Sequence, residues 1–188
     1  MTEWASQSAV LLTKAIQEKK ISCAELLEYF IERYERLNPG INAVVATNLE
    51  GARKRAVEAD SALYRGQIWG PLHGLPMTLK DNLQIKDMSA TYGSPMLAKF
   101  MPTENRDVVQ SVLDAGAIVY GKTNLPLWGL DTQSFNDVYG QTNNPWDTST
   151  TPGGSSGGAG SALAAGLNGL EIGNDIGGSI RIPANFCG

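Results

Sequence analysis

The stretch from Thr151 to Ser179 constrains this chain more than any other part of it, because ten of the 21 glycines lie between Gly153 and Gly178. Glycine gives up more conformational freedom on ordering than any other residue, so this density marks backbone that turns sharply or is closely approached. The first half, TPGGSSGGAGSALAAGL, runs from a glycine loop straight into small helix-forming residues (Ser161, Ala162, Ala164, Ala165). That order reads as a loop over a helix N-terminus, a nest suited to an anionic group. A flexible Gly/Ser linker would not continue into a helix built for close packing.

Three readings of the loop compete. A Walker A loop requires Lys and then Ser or Thr after its last glycine, and Ala159 and Gly160 stand there instead. A dinucleotide fingerprint begins at Gly158-Ala159-Gly160, but Leu163 replaces its third glycine. Gly154-Ser155-Ser156-Gly157-Gly158 satisfies GxSxG, the nucleophile elbow of α/β-hydrolases, with Ser156 as nucleophile. That mechanism needs a His downstream of the serine, and the single His of this chain, His73, lies upstream. His73, between Leu72 and Gly74, reads as a structural residue of a turn or strand.

The second glycine block, LEIGNDIGGSIRIPA, places a strand (Leu170 to Ile172) before a turn. The backbone amides of Ile176, Gly177, Gly178 and Ser179 could converge there in front of a serine, as acyl transfer requires. The alternative is a plain Gly-Gly turn beside a surface serine. With His nearly absent, a base for Ser179 must be a lysine whose pKa is lowered by burial. Lys80 fits, at the end of the apolar run Pro76-Met77-Thr78-Leu79 and before Asp81-Asn82. The competing reading is a lysine whose ammonium reaches water or pairs with Asp81.

Around these blocks the chain alternates. Helical spacing runs from Ser6 to Lys19, and a capping box, Ser22-x-x-Glu25, opens a second helix expected to stop at Asn38-Pro39-Gly40. INAVVATN reads as a strand, LEGARKRAVEADSAL as a helix, PLHGLPMTLKDN as turn, strand and turn, RDVVQSVLDAGA as a helix ending at Gly116, and AIVYGKTN as a strand. The expectation is a helical layer over about 1–65 and an α/β core over about 66–188, with mainly parallel strands flanked by helices. A composition of 42% hydrophobic and 18% charged residues excludes disorder, and a net charge of −4 with scattered Lys and Arg argues against nucleic acid as a direct partner. No run is long and apolar enough for a membrane span, and the first residues lack a basic region followed by an apolar block, so the expected location is the cytoplasm. Cys23 and Cys187 sit in no metal or redox pattern and read as free thiols.

GLPMTLKDN, TPGGSSGGAGSALAAG and GNDIGGSIRIPANFCG, in that order and with Ser179 24 positions after Ser155, together closely resemble the amidase signature family. The resemblance implies Ser179 as nucleophile, Ser155 as proton relay across a cis Gly154–Ser155 peptide bond, and Lys80 as base. It implies an oxyanion hole from the amides of Ile176, Gly177, Gly178 and Ser179, with Ser156, Asp175 and Arg181 in support. It implies hydrolysis of a small-molecule amide to an acid and ammonia or an amine, with no metal and no other cofactor. A homodimer is a candidate assembly. Position 174 is Asn where the family commonly has Ser or Thr. Family members are longer, so the rest of the domain, with most of the acyl pocket, is expected to be missing or in another chain. Two alternatives share these motifs: the glutaminase subunit of a tRNA-dependent amidotransferase, and an inactive truncated paralogue that binds amides.

Overall fold

Apolar residues at helical spacing and well-made caps account for the first third of the molecule. The computed structural model describes residues 4–188; residues 1–3, the beginning of the expected helical layer, lie outside the described residues. A 3-10 turn, Trp4–Ser6, precedes α1 (Ala9–Gln17), whose N-cap Ser8 accepts the Leu11 N–H, so the helix begins later than the spacing suggested. Helix α2 (Cys23–Ile41) opens on the expected capping box, with Ser22 and Glu25 satisfying each other's backbone N–H groups. It does not stop at Asn38-Pro39-Gly40 but continues to Ile41. The last turn survives Pro39 because Asn38 ties it down. The Asn38 carbonyl accepts the Asn42 N–H at 2.7 Å, and its side chain bonds the N–H groups of Ala43 and Val44 and the carbonyl of Val44.

The remaining elements are β1 (Val44–Thr47), α3 (Leu49–Tyr64), β2 (Pro76–Lys80), α4 (Asp107–Asp114), β3 (Ile118–Thr123), a two-residue hairpin of β4 (Phe135–Asn136) and β5 (Gly140–Gln141), α5 (Gly157–Ala164), β6 (Glu171–Ile172) and α6 (Arg181–Cys187). The main sheet has the order β1-β3-β2-β6. Strands β2 and β3 are parallel, as are β2 and β6, while β1 runs antiparallel to β3 along one edge. The sheet is therefore mixed and largely parallel, as the alternation of elements predicts. Because β1 comes from the N-terminal region, that region shares the sheet with the strands after residue 65.

Alternation along β2 sets the chemistry. Met77 and Leu79 join Val119 in an apolar cluster with Val109 and Val112 of α4. Thr78 and Lys80 necessarily project to the opposite face. A larger cluster packs Leu12, Ile16, Leu26, Leu27, Phe30 and Ile31, with Ala52, Ala56 and Ala59 of α3, against Leu75, Ile118 and Tyr120. The alanine face of α3 lets that helix lie close to the sheet. Helix α5 closes against β3 more tightly still: a Cβ at Gly158 would lie 2.3 Å from the Asn124 nitrogen, so only glycine fits. This seats the glycine loop before α5 over the carboxyl ends of β2 and β3, where open parallel sheets bind their ligands.

Candidate active site

Lys80 ends β2 with no accessible surface. Its Nζ donates to Ser155 Oγ at 2.7 Å and to Asn174 Oδ1 at 2.8 Å. Burial lowers the pKa of the amine to about 8, against the opposing pull of the negative charges of Asp175 and Glu171. A lysine base works in its neutral form, and this lowering brings that form from strongly alkaline pH to just above neutrality. The alternative of an ion pair with Asp81 does not occur. One carboxylate oxygen of Asp81 accepts the Thr91 and Tyr92 N–H groups and the Thr91 hydroxyl, and the other has no partner among the described residues.

Ser155 is buried in the loop before α5, and the Gly154–Ser155 peptide bond is cis. Gly154 is pressed against Asp131: a Cβ there would lie 2.8 Å from its carbonyl oxygen. Ser156 is buried too, and its N–H donates to the Ser179 carbonyl at 3.0 Å, which ties the two glycine blocks together. Its hydroxyl faces the Asn174 carbonyl at 3.4 Å, and the structure puts no histidine beside it; His73 is buried elsewhere against Trp69, whose N–H it accepts. The GxSxG reading therefore has no base to work with.

Ser179 lies in the turn between β6 and α6, half-buried, and its hydroxyl makes no hydrogen bond among the described residues. It lines the same cleft as Ser155, a space of about 720 Å³ whose walls include Asn82, Trp128, Leu130, Asn174 and Ile182. The structure thus joins Lys80 to Ser155 directly and brings Ser179 to the same cleft without a hydrogen bond between the two serines. Of the four amides expected to converge, that of Gly178 is taken by Asp175 Oδ1 at 2.7 Å. Those of Ile176, Gly177 and Ser179 donate to nothing among the described residues. The Asp175 carboxylate also accepts from the backbone of Ile180 and Arg181 and, through both oxygens, from the Arg181 guanidinium. The guanidinium, then the Ile180 N–H, hold this carboxyl far below the usual carboxylate range. The cluster fixes the turn that carries Ser179 at the start of α6.

Three contributors escaped the sequence reading. Asn174 is the second acceptor of Lys80, and its amide donates on to Asn82 at 3.2 Å. Lys122 is a second buried lysine, one strand over. Glu171 sits on β6 opposite Thr78. A lysine inside the apolar run AIVYGKTN was the available signal for Lys122. No group of residues able to hold a metal ion occurs among the described residues, and no helix there is long and apolar enough to cross a membrane.

Fold and cleft define a mixed α/β protein that gathers its polar groups at the carboxyl ends of parallel strands. The chain belongs to the amidase family, whose family model, described as Amidase, matches residues 25–188. Among curated relatives, one component of the glutamyl-tRNA(Gln) amidotransferase of Dehalococcoides mccartyi (strain CBDB1) is 41% identical over 187 residues, covering 100% of this chain and 38% of that protein. The component of the same description from Synechococcus sp. (strain CC9605) is 40% identical over 173 residues, covering 92% and 35%. Among solved structures, 6-aminohexanoate cyclic dimer hydrolase complexed with substrate superposes with a TM-score of 0.90 at 33% identity, covering 99% of this chain and 37% of that one. Peptide amidase from Stenotrophomonas maltophilia gives 0.91 at 34%, covering 96% and 38%. The chain therefore spans little more than a third of the length of these relatives.

Proposed function

We propose that this chain carries the catalytic residues of an amide hydrolase acting through a Ser179 acyl-enzyme. The observation that carries the reading is the 2.7 Å hydrogen bond between the buried Lys80 amine and Ser155, beside a serine whose hydroxyl is unengaged and whose turn offers unengaged amides. Neutral Lys80 accepts the Ser155 proton as Ser155 takes that of Ser179, and the Ser179 oxygen forms a bond to the amide carbonyl carbon. The resulting oxyanion accepts hydrogen bonds from Ile176, Gly177 and Ser179. Gly178, the fourth residue assigned to that hole, contributes by letting Asp175 hold the turn. The carbon–nitrogen bond then breaks, and the relay returns its proton to the leaving nitrogen. Water, deprotonated by the same relay, releases the acid. The Ser179 proton leaves with the nitrogen, the water proton restores Ser179, and no step needs a cofactor.

Arg181 and Ser156 act on geometry, the first by fixing Asp175 and the second by bonding the Ser179 carbonyl. We read the helices before residue 65 and the strands after it as parts of one domain, since β1 is hydrogen-bonded to β3.

The relatives favour a second reading with the same chemistry, the glutaminase subunit of an amidotransferase, supported by identities of 40–41% to amidotransferase components. Glutamine hydrolysis together with co-purification of another subunit separates it from a stand-alone amidase. Intact Lys80, Ser155 and Ser179 speak against an inactive paralogue. The deciding experiment is reaction of the intact protein with a fluorophosphonate, followed by mass spectrometry of its peptides. A label on Ser179 is expected; a label on Ser156, or none, overturns the mechanism.

A further inference from the structure

Beneath the Lys80 stem lies a polar layer that the relay does not use. Glu171 on β6 pairs in register with Thr78 on β2, two residues before Lys80 and on the same face of the sheet. Its carboxylate accepts from the Thr78 hydroxyl and, through its other oxygen, from Thr123 Oγ1 at 3.0 Å. Thr123 is the residue directly across from Lys80 in the β2–β3 register. The Glu171 side chain therefore leaves the edge strand, crosses β2, and ends between the two neighbours of the lysine. Asn168 completes the layer by donating to both Thr78 and Glu171.

Glu171 is partly buried, and a carboxylate carried across a strand and drawn away from solvent costs free energy unless donors and a cation stand near it. Lys122 on β3 is the cation that acts on Glu171, and Glu171 in turn favours the charged form of Lys80 on β2; the neutral Tyr120 hydroxyl on β3 donates to the Leu167 carbonyl. Asp175, in the turn after β6, also favours the charged form of Lys80, and more strongly than Glu171 does, but it stands in an ion pair with the exposed Arg181. Helix α5 brings no titratable group, and α6 brings, besides Arg181, only Cys187 across a neighbouring apolar cleft, its thiol raised to about 11 by burial. Glu171 is thus the acid beside Lys80 that makes no ion pair among the described residues. With its oxygens taken by Thr78, Thr123 and Asn168, it is poorly placed to move protons itself.

We propose that Glu171 is a positioning residue for Lys80: its carboxylate, held under the lysine stem by Thr78, Thr123 and Asn168, sets the charge state in which the amine meets Ser155. The inference rests on the relay described above and assigns its pH control. Burial moves the two groups toward each other, the Glu171 carboxyl upward and the Lys80 amine downward, so that they titrate as a coupled pair. The ionised carboxylate favours the ammonium and delays formation of the free amine. Removing that charge must move the Lys80 midpoint down.

The test titrates Lys80 directly. Intact protein labelled with ε-13C-lysine is followed by NMR from pH 5 to 11, the Lys80 signal being assigned by its loss in Lys80→Ala. In Glu171→Gln the midpoint is expected to fall by about one unit, and the pH at which fluorophosphonate labels Ser179 at half its maximal rate is expected to fall with it. Thr123→Val, which keeps the side-chain shape and removes one donor to the carboxylate, should shift both in the same direction by less. It also decides the matter if Glu171→Gln does not fold. An unchanged Lys80 midpoint in a folded variant overturns the proposal, even with Ser179 labelled normally. A shifted midpoint with no label on Ser179 upholds it and overturns the catalytic reading instead.

Discussion

Lys80 and Lys122 stand near the carboxyl ends of neighbouring parallel strands, both without accessible surface and both lowered by burial to about 8. Their partners differ. Lys80 donates to a serine hydroxyl and an asparagine side chain, and the hydroxyl can pass a proton onward. Lys122 donates to the backbone carbonyls of Asp81 and Leu83, each at 2.8 Å, and to that of Ser89 at 3.4 Å; none of these has a proton to give. The first lysine reaches a cleft through the Ser155 and Asn174 side chains that line it, whereas the second clasps the loop that follows β2. A perturbed pKa thus marks burial, and the groups a lysine touches decide whether it works as a base or as a brace.

The sharpest way to break this comparison lies at Ser179, the nucleophile that we propose Lys80 serves. Ser179→Ala is expected to remove amide hydrolysis by about four orders of magnitude or more with unfolding unchanged, measured as kcat beside a thermal melt. Lys80→Ala should lower kcat by roughly 10²- to 10⁴-fold, and a rate untouched by that change would strip Lys80 of its role. Lys122→Met should act in the other column: a loss of roughly 1–3 kcal/mol in denaturant unfolding, because its carbonyl partners are left unsatisfied, with kcat of the folded enzyme within about tenfold of the parent.

The pH dependence separates the lysines further. The rate is expected to climb as pH rises through about 8, where Lys80 loses its proton. Between about 8 and the ordinary lysine value of 10.5 the unfolded chain holds more protons at both positions than the folded chain. Stability should therefore rise with pH across that window, and Lys122→Met should flatten the rise while leaving the rate profile in place. The smallest effect is expected from Arg181→Ala: its guanidinium is largely exposed and the Asp175 carboxylate keeps three backbone donors, so kcat should fall roughly threefold or less.

Much of this was legible in the sequence, and what was missed has a common cause. Capping boxes, apolar spacing and glycine blocks are local signals, and they located α2, α3, α4, β2, β3, α5 and the two serine loops. The cis bond at Ser155 was expected from the family resemblance alone, and the apolar run before Lys80 favoured its burial without deciding it. The layer under Lys80 was not legible, because Thr78, Thr123, Asn168 and Glu171 meet only when three strands are laid side by side. Asn174 looked like a departure near Asp175, yet its side chain reaches a lysine 94 positions away. Pro39 misled in the opposite direction: a helix breaker by local rule, it is overruled by the four hydrogen bonds that Asn38 makes at the end of α2.

The crowding at Gly158 also shapes how this chain can change. No side chain fits where a methyl carbon would come 2.3 Å from the Asn124 nitrogen, whereas a Cβ at Gly177 would meet no atom within 4 Å. In a saturation library scored for folded protein, position 158 should come back as a single letter and position 177 as many. Glycines of the two blocks would thus record different kinds of selection: the first enforced by the packing of a helix beside a strand end, the second open to drift unless the chemistry above it objects.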